Sequence, residues 1–287
     1  KKENKKYFAP NTILELKKIL KKNPDANLLS GGTDLSLEVT KSRKELKKII
    51  SLNSIKELDF INNKKNEIEI GAGTSLIEFE KLIKKHYPDF TSILKRYGSV
   101  QIRNVGTIAG NIATASPIGD TLPLLLSLDA KIILDGAKKR ELISLNKFFI
   151  SYRKTRLKKG QFIYSVKIPI YKKNIFKAYK ISKRFDDDIS SVCGSFNIEM
   201  DKNRIKKIKI AYGGMSEVPK RAKNTEKILI NSIFSEKIFI KAIKNLERDY
   251  KPIDDMRASK LYRMEIAKNL LMKCFLEVKS KKILRLN

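Results

Sequence analysis

Residues 98–120 read GSVQIRNVGTIAGNIATASPIGD, and the interpretation of the whole chain starts from this stretch. Most of its residues are small or hydroxylated, and large side chains are almost absent. Such a composition suits backbone that packs closely against a bulky ligand. A buried, tightly turning core segment would have the same composition. We expect a glycine-punctuated loop from Arg103 to Gly119, followed by a short helix to Leu128 that Asp120 caps.

A second glycine-containing segment lies nearer the N-terminus, where residues 28–35 read LLSGGTDL. The adjacent Gly31 and Gly32 allow backbone N–H groups to point at an anion without an intervening Cβ. Thr33 adds a hydroxyl donor, and Asp34 adds a capping carboxylate. By itself this pattern fits an ordinary turn as well as a phosphate-binding loop.

Hydrophobic periodicity and capping signals divide the chain into two parts. Capping boxes at Thr12–Glu15 and Ser75–Glu78 predict amphipathic helices, and alternation over Asn66–Gly71 predicts a half-buried strand. Beyond residue 130, successive strands are followed by helices, which is typical of an antiparallel α+β domain. We place the boundary between residues 1–173 and 174–287. Further strands are predicted at Ala26–Leu29, Lys48–Ile50, Lys131–Leu134, Phe162–Ile168, Phe176–Ser182, Ser191–Met200 and Ile205–Tyr212, and three closing helices near 220–230, 235–249 and 258–278.

The charge balance is strongly basic: 62 Lys and Arg stand against 31 Asp and Glu, for a net charge of +31 over 287 residues. A basic nucleic-acid-binding protein is one interpretation. We favour a lysine-rich solvated surface, because only 13 of the basic residues are Arg and the lysines are scattered over the whole sequence. The two glycine-containing segments hold a single basic residue, Arg103. We therefore expect the lysines to lie outside the site, apart from the one that is named below from a resemblance.

Several classes of protein are disfavoured by what the sequence lacks. One His and two Cys argue against a metal centre built from this chain alone and against a disulfide framework, which makes a reducing cytoplasm the expected location. No apolar run approaches the roughly 20 residues that a membrane-spanning helix needs. The Rossmann fingerprint fails at Leu76, and no P-loop sequence is present.

The two glycine-containing segments resemble, in the same order, two flavin-binding segments of the xanthine dehydrogenase family. Arg184–Val192, Tyr212–Met215 and Asp255–Arg263 are similar to further motifs of that family, so that the resemblance spans about 7–278. The form Ser-Pro-Ile-Gly-Asp at 116–120 is most similar to the small subunit of the bacterial two-subunit enzyme.

The resemblance implies an α+β fold in two domains. The first is a two-part FAD-binding domain of the vanillyl-alcohol-oxidase (PCMH) type, whose subdomains meet near residue 60. The second has an antiparallel sheet plus helices, similar to the C-terminal domain of CO dehydrogenase flavoproteins. The implied activity is that of an oxidoreductase module that takes electrons from a molybdenum site through iron–sulfur clusters and passes them to NAD in purine catabolism. The alternative is the FAD subunit of a molybdenum hydroxylase for carbon monoxide, aldehydes or aromatic acyl compounds.

The resemblance also implies which residues form the site. Segment 28–35 is implied to wrap the pyrophosphate and ribityl chain of FAD, and segment 98–120 to hold the dinucleotide from the other side. Catalysis is expected from the flavin itself, and Tyr97, Lys180, Arg184 and Asp187 are candidates for tuning it. Tyr97 stands where the family has an aromatic ring beside the isoalloxazine, and Arg184 belongs with the acidic loop at Asp186–Asp188. Phe185 stands where the family has a second Arg. The implied cofactor-binding residues are Leu28, Leu29, Ser30, Gly31, Gly32, Thr33, Asp34, Leu35, Tyr97, Ile102, Gly106, Thr107, Gly110, Asn111, Thr114, Asp120, Lys180, and Ile163 or its neighbour Tyr164.

The same resemblance implies partners. The chain has neither the cysteines for two [2Fe–2S] clusters nor the length for a molybdenum domain. We therefore expect an iron–sulfur domain or subunit and a molybdenum-cofactor-binding large subunit in a hetero-oligomer that binds neither nucleic acid nor membranes. Because the chain begins at Lys1, we expect it to be the C-terminal part of a small subunit or a separate FAD subunit.

Overall fold

A small parallel sheet opens the computed structural model, which describes residues 5–283 of the chain. This N-terminal unit comprises β1 (Lys6–Phe8), α1 (Ile13–Lys22), β2 (Asn27–Leu29), α2 (Leu35–Thr40) and β3 (Lys48–Ser51). The strand order is β1-β3-β2, and both pairings are parallel. The Thr12 hydroxyl accepts the N–H of Glu15, so the predicted start of α1 is confirmed.

A five-stranded sheet with a layer of helices forms the middle unit. Its strands are β4 (Ile61–Asn63), β5 (Glu67–Gly71), β6 (Lys131–Asp135), β7 (Glu141–Ser144), β8 (Phe149–Ser151), β9 (Lys154–Thr155) and β10 (Phe162–Pro169). Its helices are α3 (Leu76–Ile83), α4 (Pro88–Lys95), α5 (Val100–Val105), α6 (Ile108–Thr114) and α7 (Thr121–Ser127). The sheet has the antiparallel order β4-β5-β10-β6-β7, while β8 and β9 form a separate hairpin. The predicted capping box of α3 is present with both of its hydrogen bonds.

An antiparallel sheet covered by helices forms the C-terminal unit, as predicted. Its elements are β11 (Ile175–Ile181), β12 (Val192–Asp201), β13 (Arg204–Gly213), β14 (Lys220–Arg221), α8 (Lys223–Leu229), α9 (Glu236–Ile243), α10 (Leu246–Asp249) and α11 (Lys260–Ser280). The four strands pair in sequence order. The helix predicted over 235–249 is in fact two helices, and the one near 220–230 begins only after β14. The α+β fold class is confirmed.

Helix α7 joins the middle and C-terminal units. All seven of its residues are buried, and it packs against β12 and β13. Polar contacts reinforce this apolar packing: the hydroxyls of Ser127 and Ser195 lie 2.7 Å apart, and the Asn197 amide donates to the Ser127 carbonyl at 3.1 Å. Just beyond the helix, Asp129 pairs with Arg221 at 3.0 Å. The two units therefore share a buried interface.

The prediction of a loop from Arg103 to Gly119 is wrong, because most of these residues are helical. Ser99 and Thr107 supply the reason: their hydroxyls accept backbone N–H groups and cap α5 and α6 in turn. Small residues do not prevent a helix when such caps are spaced this closely. The prediction that Asp120 caps α7 is also wrong, because its side chain makes no capping hydrogen bond. It takes part in the buried ion pair described below.

Candidate functional site

One cavity of about 780 Å³ opens where the three units meet. Its volume lies within the range of ~300–1,000 Å³ that is typical of small-molecule and cofactor sites. Four segments supply most of its lining: the loop after β2, the segment from Tyr97 to Asp120, the segment that leads into β10, and the loop after β11. These segments are distant in the sequence, and the three sheets bring them together.

The cavity gathers nearly all of the cofactor-binding residues implied by the sequence. Leu29 alone of that set does not line it. Ile163 lines the wall, whereas the next residue, Tyr164, stacks beneath the Arg140 guanidinium at 3.5 Å. The structure therefore brings Ile163, rather than Tyr164, to the cavity. That FAD contacts these residues stays a prediction.

The loop after β2 offers unpaired donors to the cavity. Within the described residues, the backbone N–H groups of Gly31, Gly32, Thr33 and Asp34 donate no hydrogen bond. Gly31 lies so close to the next wall that a Cβ on it would be 1.9 Å from the Val105 carbonyl oxygen. Gly32 has a φ of +70°, which a residue without a Cβ adopts readily. A row of free N–H groups in such a turn is an anion-binding arrangement.

A short chain of polar side chains crosses the opposite wall. The Asn111 amide donates to the Tyr97 hydroxyl at 2.7 Å, and its carbonyl accepts the hydroxyl of Thr121. Burial, followed by the negative charges of Asp120 and Asp34, raises the pKa of the Tyr97 phenol. Tyr97 therefore presents a neutral, oriented hydroxyl and an aromatic ring to the cavity.

A buried ion pair lies at the inner end of the cavity. Lys180 Nζ donates to Asp120 Oδ2 at 2.7 Å and to the Arg96 carbonyl at 2.9 Å. The two side chains are only 1% and 4% exposed. The Ser190 hydroxyl donates to the other oxygen of Asp120 at 2.5 Å. The carboxylate is thus fully partnered, and it fixes a positive charge at the cavity wall.

The acidic loop after β11 is only partly in the site. Asp187 and Asp188 line the cavity, but Asp186 and Arg184 do not. The Arg184 side chain is 78% exposed and pairs with Asp188 at 3.6 Å. The N–H groups of Arg184 and Ile189 lower the pKa of Asp188. Arg184 therefore does not line the cavity, and its predicted role in tuning the flavin stays a prediction.

Arg96, rather than Arg184, anchors the acidic loop after β11. Its guanidinium donates to the carbonyls of Phe185 and Lys180 at 2.7 and 3.1 Å and lies 4.4 Å from the centre of the Phe185 ring. Sequence reasoning did not identify Arg96, because nothing in the local pattern of 94–98 distinguishes it from a surface basic residue.

Residues 157–162 form a wall that the sequence did not predict. Gly160, with a φ of +76°, donates its N–H to the Pro24 carbonyl and so ties this segment to the end of α1. The only available signal was the turn-forming Lys-Lys-Gly sequence at 158–160. Lys158 and Lys159 line the cavity, so the expectation that the lysines lie outside the site is wrong for these two residues.

These features fit a dinucleotide. The free N–H groups suit a diphosphate, the small residues of 106–114 allow close approach, and the fixed Lys180 ammonium suits a ring that gains negative charge on reduction. Among residues 5–283 no cluster of three or more His, Cys, Asp or Glu could hold a metal ion. In the same range no helix is long and apolar enough to cross a membrane.

Two family models match the chain. Residues 2–171 match the FAD-binding domain in molybdopterin dehydrogenase, and residues 177–278 match the CO dehydrogenase flavoprotein C-terminal domain. The first match alone covers more than half of the chain.

Curated relatives carry several names. The chain is 33% identical over 249 residues to the xanthine dehydrogenase of Blastobotrys adeninivorans, which covers 80% of the chain but 18% of that enzyme. The chain thus spans about a fifth of the length of the xanthine dehydrogenases it matches. It is 29% identical to the glyceraldehyde dehydrogenase medium chain of Sulfolobus acidocaldarius over 95% of the chain and 97% of that subunit.

Solved structures share the fold. In carbon monoxide dehydrogenase from Hydrogenophaga pseudoflava, one chain superimposes with a TM-score of 0.88 at 22% identity, over 93% of this chain and 94% of that one.

Proposed function

Because this chain belongs to the family of FAD-binding domains of molybdopterin dehydrogenases, we propose that it is the FAD module of a xanthine dehydrogenase, and that it takes electrons from iron–sulfur clusters and passes them to NAD. The clusters and the molybdenum cofactor would lie on upstream or partner polypeptide. Because the chain belongs to this family, it is the FAD component of an oxidoreductase. We propose the electron acceptor of the flavin, the substrate of the whole enzyme and the residues that contact FAD.

The observation that carries the proposal is the convergence of distant segments on one cavity. Segments 28–35 and 97–120, together with Ile163 and Lys180, surround the same 780 Å³ space. Their chemistry differs along the wall: unpaired N–H groups stand at one position, and a tyrosine, an amide and a buried cation stand at another. That order matches a ligand with a charged diphosphate and a flat redox-active ring.

The chain's own residues bind and orient the cofactor. FAD supplies reversible two-electron chemistry when it is bound. The N–H groups of 31–34 would hold the diphosphate. Asn111 fixes the direction of the Tyr97 hydroxyl, and Asp120 fixes Lys180, so that neither group has to reorganise when charge changes nearby. The apolar side chains of Ile102 and Ile163 would exclude water from the ring.

Reduction of the bound cofactor from the NAD side tests the acceptor. The full chain is loaded with FAD, freed of oxygen and mixed with NADH. We expect the flavin absorbance to bleach, because transfer between NAD and the flavin is reversible. Flavin that is bound but stays oxidised in excess NADH would contradict NAD as the acceptor while leaving the FAD module intact.

A second candidate is the FAD subunit of a molybdenum hydroxylase for another substrate. The glyceraldehyde dehydrogenase medium chain favours it, because that subunit and this chain match along nearly their whole lengths. Turnover of the assembled complex with xanthine, aldehydes and carbon monoxide separates the two candidates. Xanthine turnover supports the first, and turnover of aldehyde or carbon monoxide without xanthine supports the second.

A further inference from the structure

Asp34 places a negative charge beside the row of free N–H groups. It lines the cavity, follows directly after Gly31, Gly32 and Thr33, and makes no capping hydrogen bond to α2. A diphosphate held by this loop would meet a like charge there. Like charges that approach in a partly desolvated site repel each other. An uncompensated Asp34 would therefore oppose the ligand that the loop is built to hold.

Arg153 compensates that charge from outside the cavity. It stands in the turn of the β8–β9 hairpin with a φ of +51°, and its Nη2 lies 2.5 Å from Asp34 Oδ2. Arg153 does not line the cavity and contacts it only through Asp34. Its charge also reaches α2: the hydrogen bond from Lys44, and then the charges of Lys44 and Arg153, lower the pKa of Glu38.

We propose that Arg153 is a positioning residue for the cofactor's diphosphate, which neutralises Asp34 and so makes the edge of the loop accept an anion. The inference rests on the proposed FAD site and deepens it. It assigns the β8–β9 hairpin a role in cofactor retention, although no residue of the hairpin faces the cavity. A hairpin that only braces the loop mechanically would give the same contact, so the test has to separate charge from bracing.

A double-mutant cycle on FAD affinity makes that separation. The full chain, stripped of flavin, is titrated with FAD and followed by flavin fluorescence for wild type, Arg153→Gln, Asp34→Asn and the double variant. We expect Arg153→Gln to raise the Kd about threefold, because it exposes the charge of Asp34 in a pair whose side chains are 38% and 41% exposed. The loss caused by Arg153→Gln should be much smaller in the Asp34→Asn background than in the wild-type background, because the charge that Arg153 neutralises is then absent. Arg153→Lys, which keeps the charge, should recover most of the loss.

Salt dependence gives a readout that bracing would not move. The difference between Arg153→Gln and wild type should shrink as the ionic strength rises from about 0.02 to about 0.5 M, because screening shortens the reach of Asp34. The inference is overturned if Arg153→Gln binds FAD like wild type, or if Arg153→Gln weakens binding by the same factor in the wild-type and Asp34→Asn backgrounds at every salt concentration. Wild type that binds no FAD would overturn the proposed function instead.

Discussion

Asn111 is the polar centre of the cavity at the scale of single residues. It donates to Tyr97 and accepts from Thr121, so one amide sets the direction of two hydroxyls. We expect Asn111→Ala to weaken FAD binding about tenfold, because both hydroxyls lose a partner in a desolvated site. The measurement is an FAD titration of the flavin-free chain. The matched control is Asn104→Ala, at an exposed position of α5 outside the cavity; equal affinities of the two variants would argue against the site.

Gly110 tests how closely the backbone approaches the cofactor. A Cβ here would meet only Thr107 Oγ1, at 3.0 Å, so that Gly110→Ala requires a small shift. Gly110→Asp adds a charge to the wall that we propose faces the diphosphate. We expect the alanine variant to retain FAD and the aspartate variant to lose it, as judged by flavin content after gel filtration. Full flavin content in Gly110→Asp would contradict the placement of this wall.

The site could be predicted residue by residue only where the motifs carried it. Segment 28–35 and the small residues of 106–114 were identifiable because their composition is unusual. Arg96 and Arg153 could not be found in this way, since each acts through a contact over 80 or more positions along the chain. Arg184 does not line the cavity, which its motif could not show because a motif gives a position and not the direction of a side chain. Its role in tuning the flavin stays a prediction.

At the scale of helices and strands, an element can be predicted when the residues that cause it are neighbours in the sequence. The strand Glu67–Gly71 and the capped helix α3 follow from patterns within a few residues, and both are confirmed. The sequence pattern does not predict the helices α5 and α6, because glycine and small residues favour a loop. In the structure the hydroxyls of Ser99 and Thr107 cap these two helices. The two strands of the hairpin β8–β9 have only five residues together, too few for a clear alternation.

Tyr87 ties α4 to the end of β10 and gives a pH test at the scale of elements. Its hydroxyl donates to the Pro169 carbonyl at 2.8 Å and accepts the N–H of Tyr171 at 3.0 Å. Burial raises the pKa of Tyr87 to about 12. The raised pKa means that the stability contributed by the neutral phenol is complete below pH ~10 and is lost as the pH rises toward 12.

We expect Tyr87→Phe to lose less stability than wild type over that interval. The free energy of unfolding in urea, measured from pH 8 to pH 12, should fall more gently in the variant, by up to ~1.4 kcal/mol per pH unit. Below pH 9 the two curves should run parallel. Curves that stay parallel up to pH 12 would show that Tyr87 titrates normally in the folded chain.

At the scale of the whole molecule, the surplus of basic residues has a narrower meaning than its size suggests. Three lysines, Lys158, Lys159 and Lys180, line the cavity, and many of the others form surface pairs such as Lys206–Glu199 at 2.8 Å. Composition alone could not assign these few to the site, because their placement depends on how the three sheets meet. The domain boundary between residues 173 and 174 stays a prediction, because α7, which lies before that boundary, packs against strands that lie after it.

The remaining positive charge makes a prediction about nucleic acids. We expect only non-specific binding to duplex DNA, no tighter than ~10⁻⁶ M at about 150 mM salt, because the basic residues are mostly lysines scattered over the whole sequence. A fluorescence-anisotropy titration over several salt concentrations measures it. A complex of ~10⁻⁸ M or tighter at that salt would revive the nucleic-acid-binding class.

The central claim is that this chain alone binds FAD in the cavity between its three units. The full chain is purified, incubated with excess FAD, freed of unbound flavin, and its absorbance spectrum and flavin-to-protein ratio are measured. We predict a yellow protein with flavin absorbance bands and one FAD per chain, and a ratio that falls in Asn111→Ala but not in Asn104→Ala. A colourless protein that takes up no added FAD would contradict the claim.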